Sequence, residues 1–221
     1  MLELHRVARL YGHKVVFRDV SCTCAASSIT LLAGNNGAGK STLLRIMAGL
    51  SRPSSGTAHF TMPAPRVGYL AHATFVYPTL TALENLTFWR EAYGLDIVPA
   101  DLLAGLERVD LAAHAHERAG VFSHGMAQRL NLARVLMLEP DILLLDEPGA
   151  GLDAASRALL HQEILSARKR GACVTLVSHD LVNDAPLADR VLFLKAGKLA
   201  FNGPVTHFRE LAGGTEQTCC A

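Results

Sequence analysis

The sequence of 221 residues is long enough for one large domain, or for one domain carrying a small insertion. Half of its residues are hydrophobic, so it can bury a sizeable core, and its net charge of +1 excludes a broadly basic surface for nucleic acid. No apolar run approaches the ~20 residues needed to cross a bilayer. The opening MLELHRVARLYGHK has no basic-then-apolar leader, which predicts a chain that stays in the cytoplasm.

In chain order, Leu2–Arg9 and Val15–Cys24 read as β-strands, and Ile29–Ala33 as a short buried strand that runs into a Gly-rich turn. Lys40–Leu50 is predicted helical, with Leu43, Ile46, Met47 and Leu50 forming one buried face at i, i+3, i+4, i+7 spacing. Ser51–Gly56, with Pro53, ends it. Val67–Ala71 is another strand, and helical periodicity takes over from about Leu80 to Leu138. Ile142–Leu145 is a compact apolar strand, Ser156–Arg170 a helix, and Cys173–Val177 and Val191–Leu194 further strands. Lys198–Phe201 pairs with the last of these through an Ala196–Gly197 turn.

Strands alternating with helices predict an α/β fold, a mainly parallel sheet with flanking helices. To this are added an N-terminal antiparallel β part and a helical insertion over roughly residues 73–138. The whole of 1–221 reads as one domain, with 213–221 a flexible tail. Cys22, Cys24, Cys173, Cys219 and Cys220 show no metal-ligand spacing beside histidines and read as buried or incidental thiols.

Gly34-Asn35-Asn36-Gly37-Ala38-Gly39-Lys40-Ser41 matches G-x-x-x-x-G-K-[ST]. Glycines let such a backbone curl so that its N–H groups face an anion, and the following helix presents its positive end to the same place. Lys40 adds a full charge for the β- and γ-phosphates, the Ser41 hydroxyl is a ligand for Mg²⁺, and Thr42 follows in the same turn. The strand before the loop and the helix after it are the context that separates this motif from a chance Gly-rich match. At the end of Ile142–Leu145 stand Asp146 and Glu147. Alone they could be a solvated strand terminus. With the phosphate loop upstream they read as a Mg²⁺ carboxylate, Asp146, and a general base for water, Glu147. Together the two motifs describe a P-loop NTPase.

Phe122-Ser123-His124-Gly125-Met126-Ala127-Gln128-Arg129 resembles the signature of ABC transporter ATP-binding subunits, usually Leu-Ser-Gly-Gly-Gln with a Gln-Arg pair shortly after. Gly151-Leu152-Asp153 is similar to the D-loop of that family, and Val177-Ser178-His179-Asp180 to its switch histidine. Tyr11 resembles the family's adenine-stacking aromatic; an ordinary half-buried strand-end ring is the other reading. The resemblance runs from Leu2 to about Pro204. It implies ATP and Mg²⁺ as cofactors, ATP hydrolysis, and a homodimer of nucleotide-binding domains packed head to tail. Ser123 and the Gly125 N–H of one copy would then clamp the γ-phosphate held by the other, with His179 orienting the lytic water. It further implies integral membrane transporter subunits as partners, no nucleic acid, and a peripheral place on the cytoplasmic face of the inner membrane.

Some positions depart from the pattern. His72 stands where the family has a Mg²⁺-reaching glutamine, and imidazole is a poorer Mg²⁺ ligand than an amide oxygen. His124 and Met126 replace a signature glycine and glutamine. Tyr69-Leu70-Ala71-His72 followed by Leu80-Thr81-Ala82-Leu83-Glu84-Asn85-Leu86 is similar to the ATP-binding subunit of the cytochrome c biogenesis (haem exporter) system. An exporter of a drug, lipid or polysaccharide is the alternative. His72, His114 and His116 are too scattered to be read as haem ligands.

Overall fold

The computed structural model describes residues 1–208, so the expected tail at 213–221, with Cys219 and Cys220, lies outside the described residues. In chain order the elements are β1 (Leu2–Tyr11), β2 (Lys14–Cys24), β3 (Ser28–Gly34), α1 (Lys40–Met47), β4 (Ser55–Phe60) and β5 (Val67–Leu70). These are followed by α2 (Ala82–Ala92), α3 (Pro99–Arg108), α4 (His124–Leu136), β6 (Ile142–Asp146) and α5 (Ala154–Lys169). The chain closes with β7 (Cys173–Val177), α6 (Leu181–Asp184), β8 (Arg190–Lys195) and β9 (Lys198–Pro204).

Two sheets form. The larger has the order β5-β6-β7-β3-β8-β9, and all its pairs are parallel except β8 with β9. The smaller is antiparallel, β2-β1-β4. Side chains of the central strands alternate between two cores, as strand geometry requires. Leu143 and Leu145 of β6, Val174 and Leu176 of β7, and Ile29 and Leu31 of β3 face the helical layer containing α4 and α5. Ile142, Leu144, Cys173, Val177 and Leu32 face α1 and the antiparallel sheet. A parallel sheet covered on both faces explains why these strands read as unbroken apolar runs. Cys22, Cys24 and Cys173 are buried free thiols, and Cys24 Sγ accepts from Thr175 at 3.9 Å. Among the described residues no group of three or more His, Cys, Asp or Glu side chains is arranged to hold a metal ion.

The expected helix ends one turn early. Gly49, at φ +73°, closes it with Gly49 N–H donating to Ile46 O at 3.0 Å and Leu50 N–H to Arg45 O at 2.9 Å. Leu50 therefore leaves the helical face and is 65% exposed; Leu44 takes its place in the core. Strand β4 had no reading in the sequence. Its residues, Ser-Gly-Thr-Ala-His-Phe, are mostly exposed and carry no apolar alternation, and it forms by pairing with β1. The Ala196–Gly197 turn joins β8 and β9 with both residues at positive φ, as a tight hairpin demands.

Between β5 and β6 the chain builds α2, α3 and α4. The start of α2 explains most of the run Leu80–Leu86. Thr81 Oγ1 accepts the Glu84 N–H at 3.2 Å while the Glu84 carboxylate accepts the Thr81 N–H at 2.7 Å. Asn85, fully buried, accepts from Tyr77 N–H at 2.7 Å and donates to Tyr77 O and Thr81 O at 3.0 and 2.9 Å. Removing the reciprocal cap by Thr81→Ala is expected to lower the melting temperature by about 2–4 °C in calorimetry. An unchanged melting temperature would show that the cap adds nothing to the fold.

Candidate functional site

The C-terminal ends of β5, β6, β7 and β3 lie side by side, which is where open α/β sheets gather ligands. From β3 the chain turns at Gly34, φ +146°, where a Cβ would sit 2.3 Å from Leu194 O. It enters α1 through Gly39, φ +99°, where a Cβ would meet Val16 Cγ1 at 2.7 Å. Only glycine fits either place, so the sharp curl of the loop follows from the sequence. Lys40, the first residue of α1, folds back across the loop: its Nζ donates to Gly34 O at 2.8 Å and Asn35 O at 3.1 Å. Burial depresses the Lys40 pKa, while the charges of Glu147 and Asp146 oppose that shift.

Ser41 Oγ donates to Asp146 Oδ1 at 2.9 Å, joining the helix after β3 to the end of β6. Asp146 is 2% exposed. Burial pushes its carboxyl pKa up, with the Ser41 hydrogen bond and the nearby Arg45 and His72 pulling it down. Glu147 follows in left-handed backbone, φ +54°, and its N–H donates to Val177 O at 3.1 Å. This left-handed turn breaks strand alternation, so Glu147 lines the cleft while Asp146, buried beside it, bonds Ser41. Such a conformation before proline costs of order 1–3 kcal/mol and is typical of functional sites. His179, just beyond β7, brings Nε2 to 2.6 Å from Glu147 Oε1.

Tyr11, Gly37, Lys40, Ser41, Thr42, Glu147 and His179 all line one cleft of about 370 Å³, together with Asn36, Gly39 and Lys14–Val16. Asn35 and Ala38 line the neighbouring groove on the other side of the loop. Tyr11 is half exposed, with the Arg9 guanidinium 4.5 Å from its ring centroid. His72 lies exposed beyond β5, close enough for its charge to act on Asp146. Ser123 and Gly125 are not in this cleft. Ser123 caps α4 by accepting the Met126 N–H at 3.2 Å. Gly125 lies against Leu152 and Ser156, and the His124 ring lies against Gly151. Sequence reasoning missed Arg9, Lys14–Val16 and Tyr69, whose hydroxyl lies 3.5 Å from Asp146 Oδ2. Arg9 and Lys14–Val16 sit in no motif, Tyr69 stands in the Tyr69–His72 run without a site role there, and only the fold brings them to the site.

A family model described as ABC transporter matches residues 17–150. The chain is 31% identical over 225 residues to a linearmycin resistance ATP-binding protein of Bacillus subtilis, spanning 97% of this chain and 72% of that protein. It is 36% identical over 211 residues to an aliphatic sulfonates import ATP-binding protein of Burkholderia thailandensis, spanning 92% of this chain and 61% of that protein. Among solved structures it resembles an ATP-binding subunit of an ABC transporter, with a TM-score of 0.87 at 25% identity over 96% of this chain and 93% of that one. A dimeric, post-hydrolysis ATP-binding cassette bound to ADP and Pi gives a TM-score of 0.82 at 23% identity, over 93% and 99% of the two chains.

The raised Asp146 pKa fixes the sign of a prediction. The folded state holds this proton more tightly than the unfolded one. Its contribution therefore turns unfavourable as pH rises above the unfolded-state pKa, and the penalty is complete once pH exceeds the raised pKa. Asp146→Asn, which keeps an acceptor for Ser41, is expected to melt at or above the parental temperature without nucleotide and to lose ATP turnover. A fall of more than about 4 °C would show that the carboxylate stabilises the fold.

Proposed function

The chain belongs to the ABC transporter family and is an ATP-binding, ATP-hydrolysing subunit, and from that premise we propose that ATP is cleaved in the cleft of Lys40, Glu147 and His179, completed by a second copy of the chain. The observation that carries this reading is the 2.6 Å contact of His179 Nε2 with Glu147 Oε1, in the same cleft as the Lys40 loop. The triphosphate lies along residues 34–42, with Lys40 leaving its backbone carbonyls for the β- and γ-phosphate oxygens. Adenine stacks on Tyr11, whose exposed ring needs no base-specific hydrogen bond. Glu147 accepts a proton from the water that attacks the γ-phosphorus; the bond to the ADP oxygen breaks, and phosphate leaves. His179 holds Glu147 and that water in register.

Ser41 Oγ and Asp146 Oδ1 form an adjacent pair of hard oxygen donors, which fits Mg²⁺. These two residues would hold the ion, and when bound it neutralises charge between the β- and γ-phosphates. His72, near enough for its charge to act on Asp146, would influence the ion only indirectly.

The second copy supplies Ser123 and the Gly125 N–H. Ser123 Oγ already accepts the Met126 N–H, so its own O–H is free to donate to a γ-phosphate, and the N-terminus of a 13-residue helix favours an anion there. Their separation from the cleft of their own chain supports a site shared between copies. The solved cassette with ADP and Pi is a dimer. Among the described residues no helix is long and apolar enough to cross a membrane. In this reading the subunit sits on the cytoplasmic face of the membrane and drives separate integral membrane subunits.

For cargo, we infer haem handling in cytochrome c maturation, supported by Tyr69–His72 together with the run Leu80–Leu86. The competing reading, export of a drug, lipid or polysaccharide, finds support for its drug case in the linearmycin resistance relative. One relative is named for linearmycin resistance and the other for aliphatic sulfonates import, at 31% and 36% identity, so identity at this level selects no cargo.

One experiment tests both levels: c-type cytochromes are haem-stained in a strain deleted for the gene and complemented with the wild type or with Glu147→Gln. The expected result is loss of the stained bands, restoration by wild type alone, and a purified Glu147→Gln protein that binds ATP but stalls as a closed dimer. Bands that survive deletion reject the haem reading. Parental turnover by Glu147→Gln rejects Glu147 as the base.

A further inference from the structure

Arg157 and His161 stand one turn apart on α5, on the same face. Opposite them stand Asp180, which caps α6, and Asp184, the last residue of α6. The four side chains interlock in register. Arg157 Nη1 contacts Asp180 Oδ2, and His161 Nε2 lies 2.8 Å from Asp184 Oδ1. The second pair is largely buried, with side-chain exposures of 20% and 11%.

Asp180 has further commitments. It accepts the Asn183 N–H at 3.2 Å and Asn183 Nδ2 at 2.7 Å, and its own N–H donates to Ser178 Oγ at 2.9 Å. The residues on both sides of His179 are thus fixed by side-chain bonds, while the His179 ring itself is 44% exposed and bonded to Glu147. At its other end α5 begins at Asp153, which accepts the Ser156 N–H at 2.7 Å and closes the Gly149–Gly151 turn that follows Glu147. Glu147, Gly151, Arg157, His179 and Asp180 line one small cleft of about 160 Å³.

A lone, partly exposed ion pair stabilises little and restricts little. Two pairs one turn apart, anchored one and five residues after His179, resist both rotation and slide of the segment that carries it. We propose that Arg157 and His161 are positioning residues: through Asp180 and Asp184 they hold His179 against Glu147, and α5 carries the position of the Gly149–Asp153 turn to that histidine. This rests on the reading of His179 and Glu147 as the catalytic pair.

The test is steady-state ATP hydrolysis by the full chain. Arg157→Ala is expected to lower kcat about 10- to 100-fold, with KM for ATP unchanged. Arg157→Lys, which keeps the charge, recovers most of that loss. In a His179→Ala background, Arg157→Ala adds no further loss, because it acts through the residue already removed. Parental kcat in Arg157→Ala overturns the proposal. So does a loss expressed only in KM, or the same fold-loss in the His179→Ala background. Parental kcat in His179→Ala alone rejects instead the catalytic reading on which the proposal rests. Should Arg157→Ala fail to fold, Asp180→Asn, which keeps the side-chain shape, is judged by the same outcomes.

Discussion

The site depends on one charge kept where a charge is costly. Lys40 is buried at the mouth of a parallel sheet, its ammonium tied to two carbonyls of its own loop and facing the cleft. Burying an unpaired ion costs several kcal/mol even after relaxation. Its surroundings answer that cost: the carbonyls of Gly34 and Asn35 at contact, and the carboxylates of Asp146 and Glu147 at longer range. The left-handed backbone at Glu147 costs about 1–3 kcal/mol, less than an unneutralised ammonium. The cleft beside it, lined by Lys40, Ser41 and Thr42, is where the proposed account seats the triphosphate.

From that constraint the layering follows. Lys40 must begin a helix directly after a buried strand, so β3 lies inside the sheet with β7 and β8 on either side. Its carboxylate neighbours must come from another strand end, and Ser41 bonded to Asp146 ties the two ends together. β7, lying between β3 and β6, then delivers His179 to the same edge. Ser123 and Gly125 lie outside their own cleft, with Gly125 against Leu152 and Ser156 beside the Gly149–Asp153 turn. In the proposed account each chain therefore carries the chemistry of one site and the lid of another.

Much of this was legible in the sequence because it is local. A Gly-rich loop between a strand and a helix, or two carboxylates at the end of four apolar residues, is a short-range pattern with short-range physics. What was not legible is long-range. β4 has a polar, exposed composition and exists through its pairing with β1. Leu50 continues the helical period on paper, but a glycine with positive φ turns the chain one residue before it. Arg157 and His161 read as ordinary residues of a helix until α6 is placed beside them. The run Leu80–Leu86 shows the converse. It carries a family resemblance, yet Thr81, Glu84 and Asn85 each make bonds that any helix start of this shape would use.

The central claim is that the cleft is incomplete until a second copy covers it. The most direct measurement is ATP turnover per chain as a function of protein concentration at saturating ATP and Mg²⁺, with the oligomeric state followed in parallel. The account predicts turnover per chain that rises with concentration as dimers form. A constant turnover per chain, with the protein monomeric throughout, would contradict it.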